Sequence, residues 1–286
     1  MTLWIALGLS ACASFFSPEP TPTPTATFTP VPPTATPEPM ALTVNGEGIR
    51  LVEFDEEVAH YMAAQEALEE PVSSADAASA VIDDLVAQVL LAQAARADGF
   101  TLDEAALQAR IDSLAAQVGG AEALAKWKSD HNYTEQSFRS ALKRSLEAAW
   151  MRDKIIMAVP STAEQVHIQQ ILLYNEGTAQ SFFIQLNGGA DFDELALEAD
   201  PLTRGDLGWV PRGYLLDPKI EEAAFRLTVG EHSEVIATDV GFHIIRILER
   251  DPERPLSPDA YLTMQELALK NWIEEQRQQA TIILAP

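Results

Sequence analysis

Apolar residues between positions 41 and 160 recur mainly three and four positions apart, which is the period of an amphipathic α-helix. A short alternating stretch, ALTVNGEGIRLVEF (residues 41–54), comes first, and Asn45-Gly46 within it is typical of a tight β-hairpin turn. The pattern therefore predicts a hairpin followed by five helices, of which the last is the long segment TEQSFRSALKRSLEAAWMRDKIIM (residues 134–157).

Capping residues and glycines in the sequence mark the expected ends of these helices. Ser74 is a candidate N-cap for the second helix, which is expected to end near Gly99. Thr101 and Glu104 have the spacing of a capping box and predict the start of the third helix. A short helix around Trp127 is expected before the long fifth one. No candidate catalytic set accompanies these helices.

The pattern changes at Pro160, which predicts a second domain over residues 161–250. VHIQQILL (residues 166–173) is predicted to be a strand, and one or two helices are expected around Gly188-Gly189. TRGDLGWVPRGYL (residues 203–215) is predicted to be a glycine-rich loop. A further helix, a turn and two strands follow, and this order of elements is an α+β layout.

The first forty residues have the composition of a leader and a spacer. Residues 1–11 are apolar but too few to span a bilayer, which takes about 20 residues, and are typical of the end of a signal peptide. LSAC (residues 9–12) resembles the lipobox of bacterial lipoproteins, in which the cysteine becomes lipidated. We therefore expect a signal peptide over residues 1–12 with a lipid anchor at Cys12. Residues 13–40, rich in Pro and Thr, are expected to be a disordered linker, which would place the folded body on the outer face of a membrane.

The charge balance narrows the classes of partner. The chain has 43 Asp and Glu residues against 19 Lys and Arg residues, a formal net charge of -24. Nucleic acids and anionic membrane surfaces would be repelled, so neither is an expected partner. Cys12 is the sole cysteine of the sequence and the five histidines have no ligand-like spacing, so neither an intrachain disulfide nor a metal site is expected.

Four motifs in residues 164–250 carry a resemblance to a known family. They are LNGGADF (residues 186–192), GDLGW (205–209), AAFRLTVGEHS (223–233) and GFHII (241–245). In this order they resemble the parvulin domain, a family of peptidyl-prolyl cis/trans isomerases. The resemblance implies a small antiparallel sheet with surrounding helices, and it implies no cofactor.

A second resemblance concerns the N-terminal part. VNGEGIRLVEFDEEV (residues 44–58), followed by amphipathic helices, is similar to the N-terminal domain of chaperones of the SurA and PrsA type. It implies that residues 41–160 form a mostly helical chaperone domain, which cradles unfolded or proline-containing exported polypeptides. It also implies that residues 251–286 supply a C-terminal helix that packs on this domain. The expected fold class is thus α+β, with a helical chaperone domain, a parvulin domain and a C-terminal helix.

The parvulin resemblance assigns roles to matching positions. It implies that His243 is the catalytic histidine of the final strand, that Thr238 is its hydroxyl partner, and that Asp200 takes the acidic position ahead of the glycine-rich loop. Gln170 stands where the family usually has a second histidine; an amide can still orient His243, although it does not titrate. His167 lies three positions earlier, on the opposite face of a strand. The residues implied to bind proline, with core packing as the alternative for the apolar ones, are Leu215, Leu216, Ile220, Phe225 and Trp209.

Two functions remain open at this point. The first is a foldase that catalyses prolyl isomerisation, which Asp200, Thr238 and His243 favour. The alternative is a holdase chaperone with a catalytically weakened parvulin domain. Gln170 favours this alternative, as does Ile220, where the family commonly has an aromatic residue.

Overall fold

The structure is a computed structural model that describes residues 38–215 and 217–285. The expected signal peptide, the expected lipidation site Cys12, nearly all of the linker and the side chain of Leu216 lie outside the described residues. In the part of the chain that is described, no helix combines the length and the apolar character that a bilayer crossing requires.

Nine helices and seven strands make up the described residues. The strands are β1 (Met40–Val44), β2 (Glu47–Arg50), β3 (Thr162–Leu173), β4 (Asp206–Pro211), β5 (Ile236–Thr238), β6 (Gly241–Pro255) and β7 (Ile282–Leu284). The helices are α1 (Leu51–Ala67), α2 (Ser74–Ala97), α3 (Glu104–Gln117), α4 (Ala121–Asp130), α5 (Glu135–Met157), α6 (Glu176–Asn187), α7 (Phe192–Ala199), α8 (Pro218–Arg226) and α9 (Pro258–Gln279).

A three-stranded antiparallel sheet in the order β2-β1-β7 begins the helical part. β1 and β2 form the predicted hairpin, and Asn45 and Gly46 at its turn both have positive φ, as a tight turn of this kind requires. β7 pairs with the other edge of β1. This strand is not predicted from the sequence, because three residues are too few to show an alternation.

Helices α1 to α5 follow the hairpin as predicted, but two of their caps differ from the sequence-based expectation. Ser73, rather than Ser74, caps α2, and Asp103, rather than Thr101, caps α3. Each cap side chain accepts a hydrogen bond from the backbone amide three positions later. The expectation for Thr101 is wrong because Asp103 satisfies the same geometry closer to the helix.

The last helix, α9, lies against α2 and α5. Its Trp272 and Ile273 pack around a small buried cluster formed by Leu91, Ala92 and Ala148. The helical part therefore consists of α1 to α5 together with α9, although α9 follows the second sheet in the chain.

The second sheet is antiparallel in the order β4-β3-β6-β5, with helices on both faces. Ile168 and Ile245 lie in a core cluster with residues of α8, whereas Ile171 and Ile244 lie in a cluster with residues of α6 and α7. Neighbouring residues of a strand thus serve opposite faces. Helices on a small antiparallel sheet, next to a helical part, confirm the predicted α+β class.

The glycine-rich segment contains a strand where the sequence predicts only a loop. Residues 206–211 form β4, which pairs with the middle of β3. Three glycines within eleven positions hide this strand, because glycine is depleted in strands and interrupts their alternation. β4 therefore lies next to β3, the strand that carries Gln170.

Candidate active site

His243 is buried in the second sheet, with 3% of its surface exposed. Its Nδ1 atom lies 3.0 Å from Oε1 of Gln170, and its Nε2 atom lies 3.0 Å from Oγ1 of Thr238. The strand register explains the first contact. Gln170 on β3 is directly opposite Ile245 on β6, so it is the diagonal neighbour of His243 on the same face of the sheet.

The two partners of His243 determine which ring nitrogen carries the proton. With the amide oxygen of Gln170 facing the ring, Nδ1 is the donor, because an amide oxygen only accepts. Nε2 then accepts from the hydroxyl of Thr238, whose single proton is shared between Nε2 and the carbonyl oxygen of Gly241 at 3.2 Å. Burial lowers the pKa of His243, and the nearby carboxylate of Asp217 acts in the opposite direction. The ring is therefore uncharged at neutral pH.

An apolar cleft of about 410 Å³ lies beside this network. Thr238 belongs to both, since it bonds to His243 and also lines the cleft. The walls come from the glycine-rich segment, the start of α8 and the turn between β5 and β6. The lining residues are Leu207, Tyr214, Leu215, Asp217, Ile220, Thr238, Asp239 and Val240.

Gly205 is required for β4 to approach β3 next to Gln170. Its φ is 68°, and a Cβ atom at this position would lie 1.7 Å from the carbonyl oxygen of Gln170. The Gly205 carbonyl instead accepts a hydrogen bond of 2.8 Å from the backbone N–H of Gln170. Any side chain at position 205 would therefore displace the strand that orients His243.

Asp200, expected to be catalytic, is placed by the structure at the turn before Gly205. Its carboxylate accepts hydrogen bonds from the amides of Leu202 and Thr203, at 3.0 and 3.2 Å, and from the Thr203 hydroxyl. The hydrogen bond from the Thr203 hydroxyl is the main reason that the pKa of Asp200 lies below its ordinary value, followed by those from the amides. Among the described residues, the hydrogen bonds of this carboxylate all come from residues 202–205. The geometry corresponds to a positioning residue.

Two expected proline-binding residues lie outside the cleft. Phe225 belongs to the core under α8, is 7% exposed, and is covered by the guanidinium of Arg212, 4.0 Å from its ring centre. The Trp209 ring stacks on His167, with 5.4 Å between ring centres, and lies under Arg254. The expectation that Trp209 faces the cleft is therefore not met.

An irregular pairing between β3 and β4 explains why Leu207, and not Trp209, lines the cleft. Leu207 and Trp209 would share a face in a regular strand. The register between β3 and β4 shifts beside Gly208, whose φ is 70°, so the alternation is interrupted between them. Leu207 thus lines the cleft, as do Leu215 and Ile220, which the sequence does predict.

The other lining residues missed from the sequence are Tyr214, Asp217, Asp239 and Val240. A signal was available for Leu207 and Val240, which are large apolar residues inside turn-rich motifs. Both are exposed despite their size. His167, as expected, is away from His243: its Nε2 lies 2.8 Å from the carboxylate of Asp206.

Two family models match this chain. The PPIC-type PPIase domain matches residues 174–249, which contain β4, α8 and His243. The SurA-like N-terminal domain matches residues 23–152. The part that contains the four-stranded sheet is therefore a PPIC-type parvulin domain, and it follows a SurA-like N-terminal domain.

Curated relatives named foldase protein PrsA share parts of this sequence. The one from Geobacillus kaustophilus is 37% identical over 95 residues, which cover 32% of this chain and 34% of the relative. The one from Caldanaerobacter subterraneus is 28% identical over 183 residues, which cover 58% of this chain and 55% of the relative. The chain thus matches less than two thirds of the length of each. A crystal structure of peptidylprolyl isomerase (PrsA) from Bacillus cereus aligns over 81% of this chain and 83% of that chain, with 20% identity and a TM-score of 0.44.

Proposed function

We propose that this protein is a peptidyl-prolyl cis/trans isomerase that assists the folding of exported polypeptides. The observation that carries the proposal is the arrangement around His243. A buried, uncharged histidine is bonded through both ring nitrogens to Gln170 and Thr238, at the edge of an apolar cleft. Leu215 and Ile220 supply apolar walls against which a proline ring can pack.

The chemistry requires only that the cleft favour a twisted amide. An X-Pro bond rotates slowly because rotation breaks the amide resonance, with a barrier of about 18–20 kcal/mol. Resonance also makes the planar amide more polar than the twisted one. A cleft with apolar walls excludes water from the carbonyl and so disfavours the planar form relative to the twisted form. Neither a nucleophile nor a metal is needed for such a step.

In this proposal the polar network keeps the cleft in one arrangement. Thr238 is the member that reaches the bound peptide, because its side chain lines the cleft. His243 holds the Thr238 hydroxyl, and Gln170 holds the histidine ring in one tautomer. Asp200 acts at a distance, since it orders the turn that brings Gly205 to the backbone of Gln170.

The helical part is proposed to hold the unfolded client. Apolar side chains of α1, such as Leu51, Val52 and Met62, are exposed and can contact an unfolded chain. The SurA-like match and the relatives named foldase or chaperone support this role. Binding of client by the helices would raise the local concentration of its prolines near the cleft.

The proposed organisation follows the segments expected from the sequence. A signal peptide (residues 1–12), lipidated at Cys12, precedes a linker (13–40), the chaperone domain (41–160), the parvulin domain (161–250) and the C-terminal segment (251–286). The lipobox-like LSAC supports the lipid anchor, and the relatives named foldase protein PrsA support an extracytoplasmic location. Palmitate labelling in cells should be lost in Cys12→Ala; labelling that persists would contradict the anchor.

A second candidate function is a holdase whose parvulin domain binds peptide with little catalysis. Gln170 is the observation that favours it, because an amide orients His243 but does not exchange a proton with it. Ile220, where an aromatic residue is common in the family, gives the proline ring a smaller contact.

Cis–trans exchange of a short proline peptide, measured by NMR with the full chain, separates the two functions. We expect exchange above the uncatalysed rate, reduced at least tenfold in His243→Ala. His60→Ala is the matched control, because His60 lies on α1, outside the parvulin domain. No exchange in the natural protein, together with exchange in Gln170→His, would contradict the isomerase and favour the holdase.

A further inference from the structure

The charged residues that line the cleft beside His243 are all acidic. Among its lining residues, Asp217 and Asp239 are ionisable carboxylates, and no lining residue is Lys, Arg or His. Asp217 stands at the start of α8 and Asp239 in the turn between β5 and β6, so the two carboxylates belong to different walls. Ile220 and Thr238 line the same cleft as these two aspartates.

Neither carboxylate has an ion-pair partner within the described part of the chain. Oδ1 of Asp217 accepts a hydrogen bond of 2.8 Å from the backbone N–H of Lys219, as the N-cap of α8. The ammonium of Lys219 donates to the carbonyl of Ala237 at 3.0 Å, next to Thr238, and forms an ion pair with neither aspartate. Asp239 is exposed on its turn. Both charges are therefore left to act on whatever enters the cleft.

Asp217 also lies close enough to act on the histidine network. Its carboxylate opposes, through its charge, the effect of burial on the pKa of His243. The charge of Asp217 therefore acts on His243, which is hydrogen-bonded to the cleft residue Thr238.

We propose that Asp217 and Asp239 select substrates with a lysine or arginine next to the proline, and reject those with an aspartate or glutamate there. The inference rests on the proposed isomerase function and specifies its substrate class. A cationic side chain beside the proline ring reaches a cleft lined by two carboxylates that form no ion pair among the described residues. An acidic side chain meets repulsion at the same place.

The net charge of -24 would attract cationic peptides to every face of the protein. Local selection by the cleft must therefore be distinguished from this general attraction. The distinction is available, since a single aspartate can be neutralised with almost no change in total charge. Asn is the suitable replacement at position 217, because it also serves as an N-cap.

The test uses three peptides of the form Ala-Xaa-Pro-Phe, with Lys, Ala or Glu at Xaa, and the full chain. Cis–trans exchange and peptide affinity are both measured by NMR at low salt. We expect kcat/KM for Lys-Pro to exceed that for Glu-Pro by about tenfold, as two partly exposed charges can provide. The ratio should fall to about twofold in the double variant Asp217→Asn/Asp239→Asn, and toward the same value at high salt.

Glu222→Gln is the matched control. Glu222 lies on α8, one turn from Asp217, and pairs with Arg226 on the surface. Its loss changes the total charge as one aspartate does, so the Lys-to-Glu ratio should remain that of the natural protein. An equal fall of the ratio in Glu222→Gln and in Asp217→Asn would overturn the proposal, as would an unchanged ratio in the double variant.

The two readouts separate this inference from the isomerase itself. Tighter binding of the Lys-Pro peptide that depends on both aspartates, without exchange of any peptide, would support the selection and contradict the isomerase. Exchange of all three peptides at equal rates would support the isomerase and overturn the selection.

Discussion

The helical part and the parvulin domain both bury polar side chains, but with different partners. In the helical part, the guanidinium of Arg144 on α5 bonds to the carboxylate of Glu53 on α1, and both side chains are buried. Arg96 on α2 likewise bonds to the buried carboxylate of Glu147 on α5. Opposite charges thus connect helices that are distant in sequence.

In the parvulin domain the buried polar side chain beside the cleft is His243, and its partners are an amide and a hydroxyl. Here burial keeps the ring uncharged rather than pairing a charge. A buried polar side chain thus holds helices together in one region and shapes a cleft in the other. Substitutions that remove these two kinds of contact should differ in the size of their effect and in the property they change.

The largest expected effect is that of Arg144→Met. The substitution leaves the carboxylate of Glu53 buried without its partner, which should lower the free energy of unfolding by about 3–5 kcal/mol. Urea denaturation followed by circular dichroism measures this. Arg152→Met is the control, since its pair with Asp153 is about half exposed and contributes about 0–1 kcal/mol. Equal losses in both variants would show that Glu53 is solvated.

A smaller loss is expected for Gly205→Ala. The new Cβ atom would lie 1.7 Å from the carbonyl oxygen of Gln170, so β3 and β4 must separate. We expect a loss of about 2–4 kcal/mol from overpacking and the positive φ together, and a slower isomerisation. Gly230→Ala is matched, because Gly230 has a φ of 87° and open space around its Cβ position. That control should lose about 1–2 kcal/mol. A Gly205→Ala variant no less stable than the control would contradict the close approach.

The smallest expected effect is the change in the free energy of unfolding with pH that comes from protonation of His243. Burial lowers its pKa in the folded state, whereas in the unfolded chain it has the ordinary value of about 6.5. The unfolded state therefore binds more protons just below that pH. The contribution to stability is present above about pH 6.5 and is lost as the pH falls through the folded-state pKa.

NMR titration of the His243 ring reads this protonation directly. The free energy of unfolding should also fall less between neutral and mildly acidic pH in His243→Asn than in the natural protein. A ring that titrates at or above the ordinary histidine range would contradict the buried, neutral assignment.

Much of the fold follows from local patterns. The five helices of the N-terminal part, the first strand of the parvulin domain and α9 are long enough to show their period. β7 and β4 do not show it, the first because it has three residues and the second because glycines interrupt it. In both cases the strand depends on pairing with a distant segment, which no local window contains.

The residues of the site likewise divide into those expected from the sequence and those that are not. The contacts of His243 with Gln170 and Thr238 correspond to roles that only the resemblance to the parvulin domain implies for these residues. Leu207 lines the cleft and Trp209 does not, although of the two only Trp209 is expected to bind proline, because the shift in pairing beside Gly208 is not visible in the sequence. The two aspartates of the cleft come together only through the tertiary fold.

The most direct test of the central claim, that the cleft beside His243 catalyses prolyl isomerisation, is cis–trans exchange by NMR in Leu207→Glu. Leu207 is 37% exposed, so the substitution adds a carboxylate to the apolar wall without opening the core. With the uncharged peptide Ala-Ala-Pro-Phe, we predict exchange by the natural full chain and its loss in the variant, with both proteins equally folded by circular dichroism. Exchange at the natural rate in Leu207→Glu would place the reaction elsewhere and contradict the account.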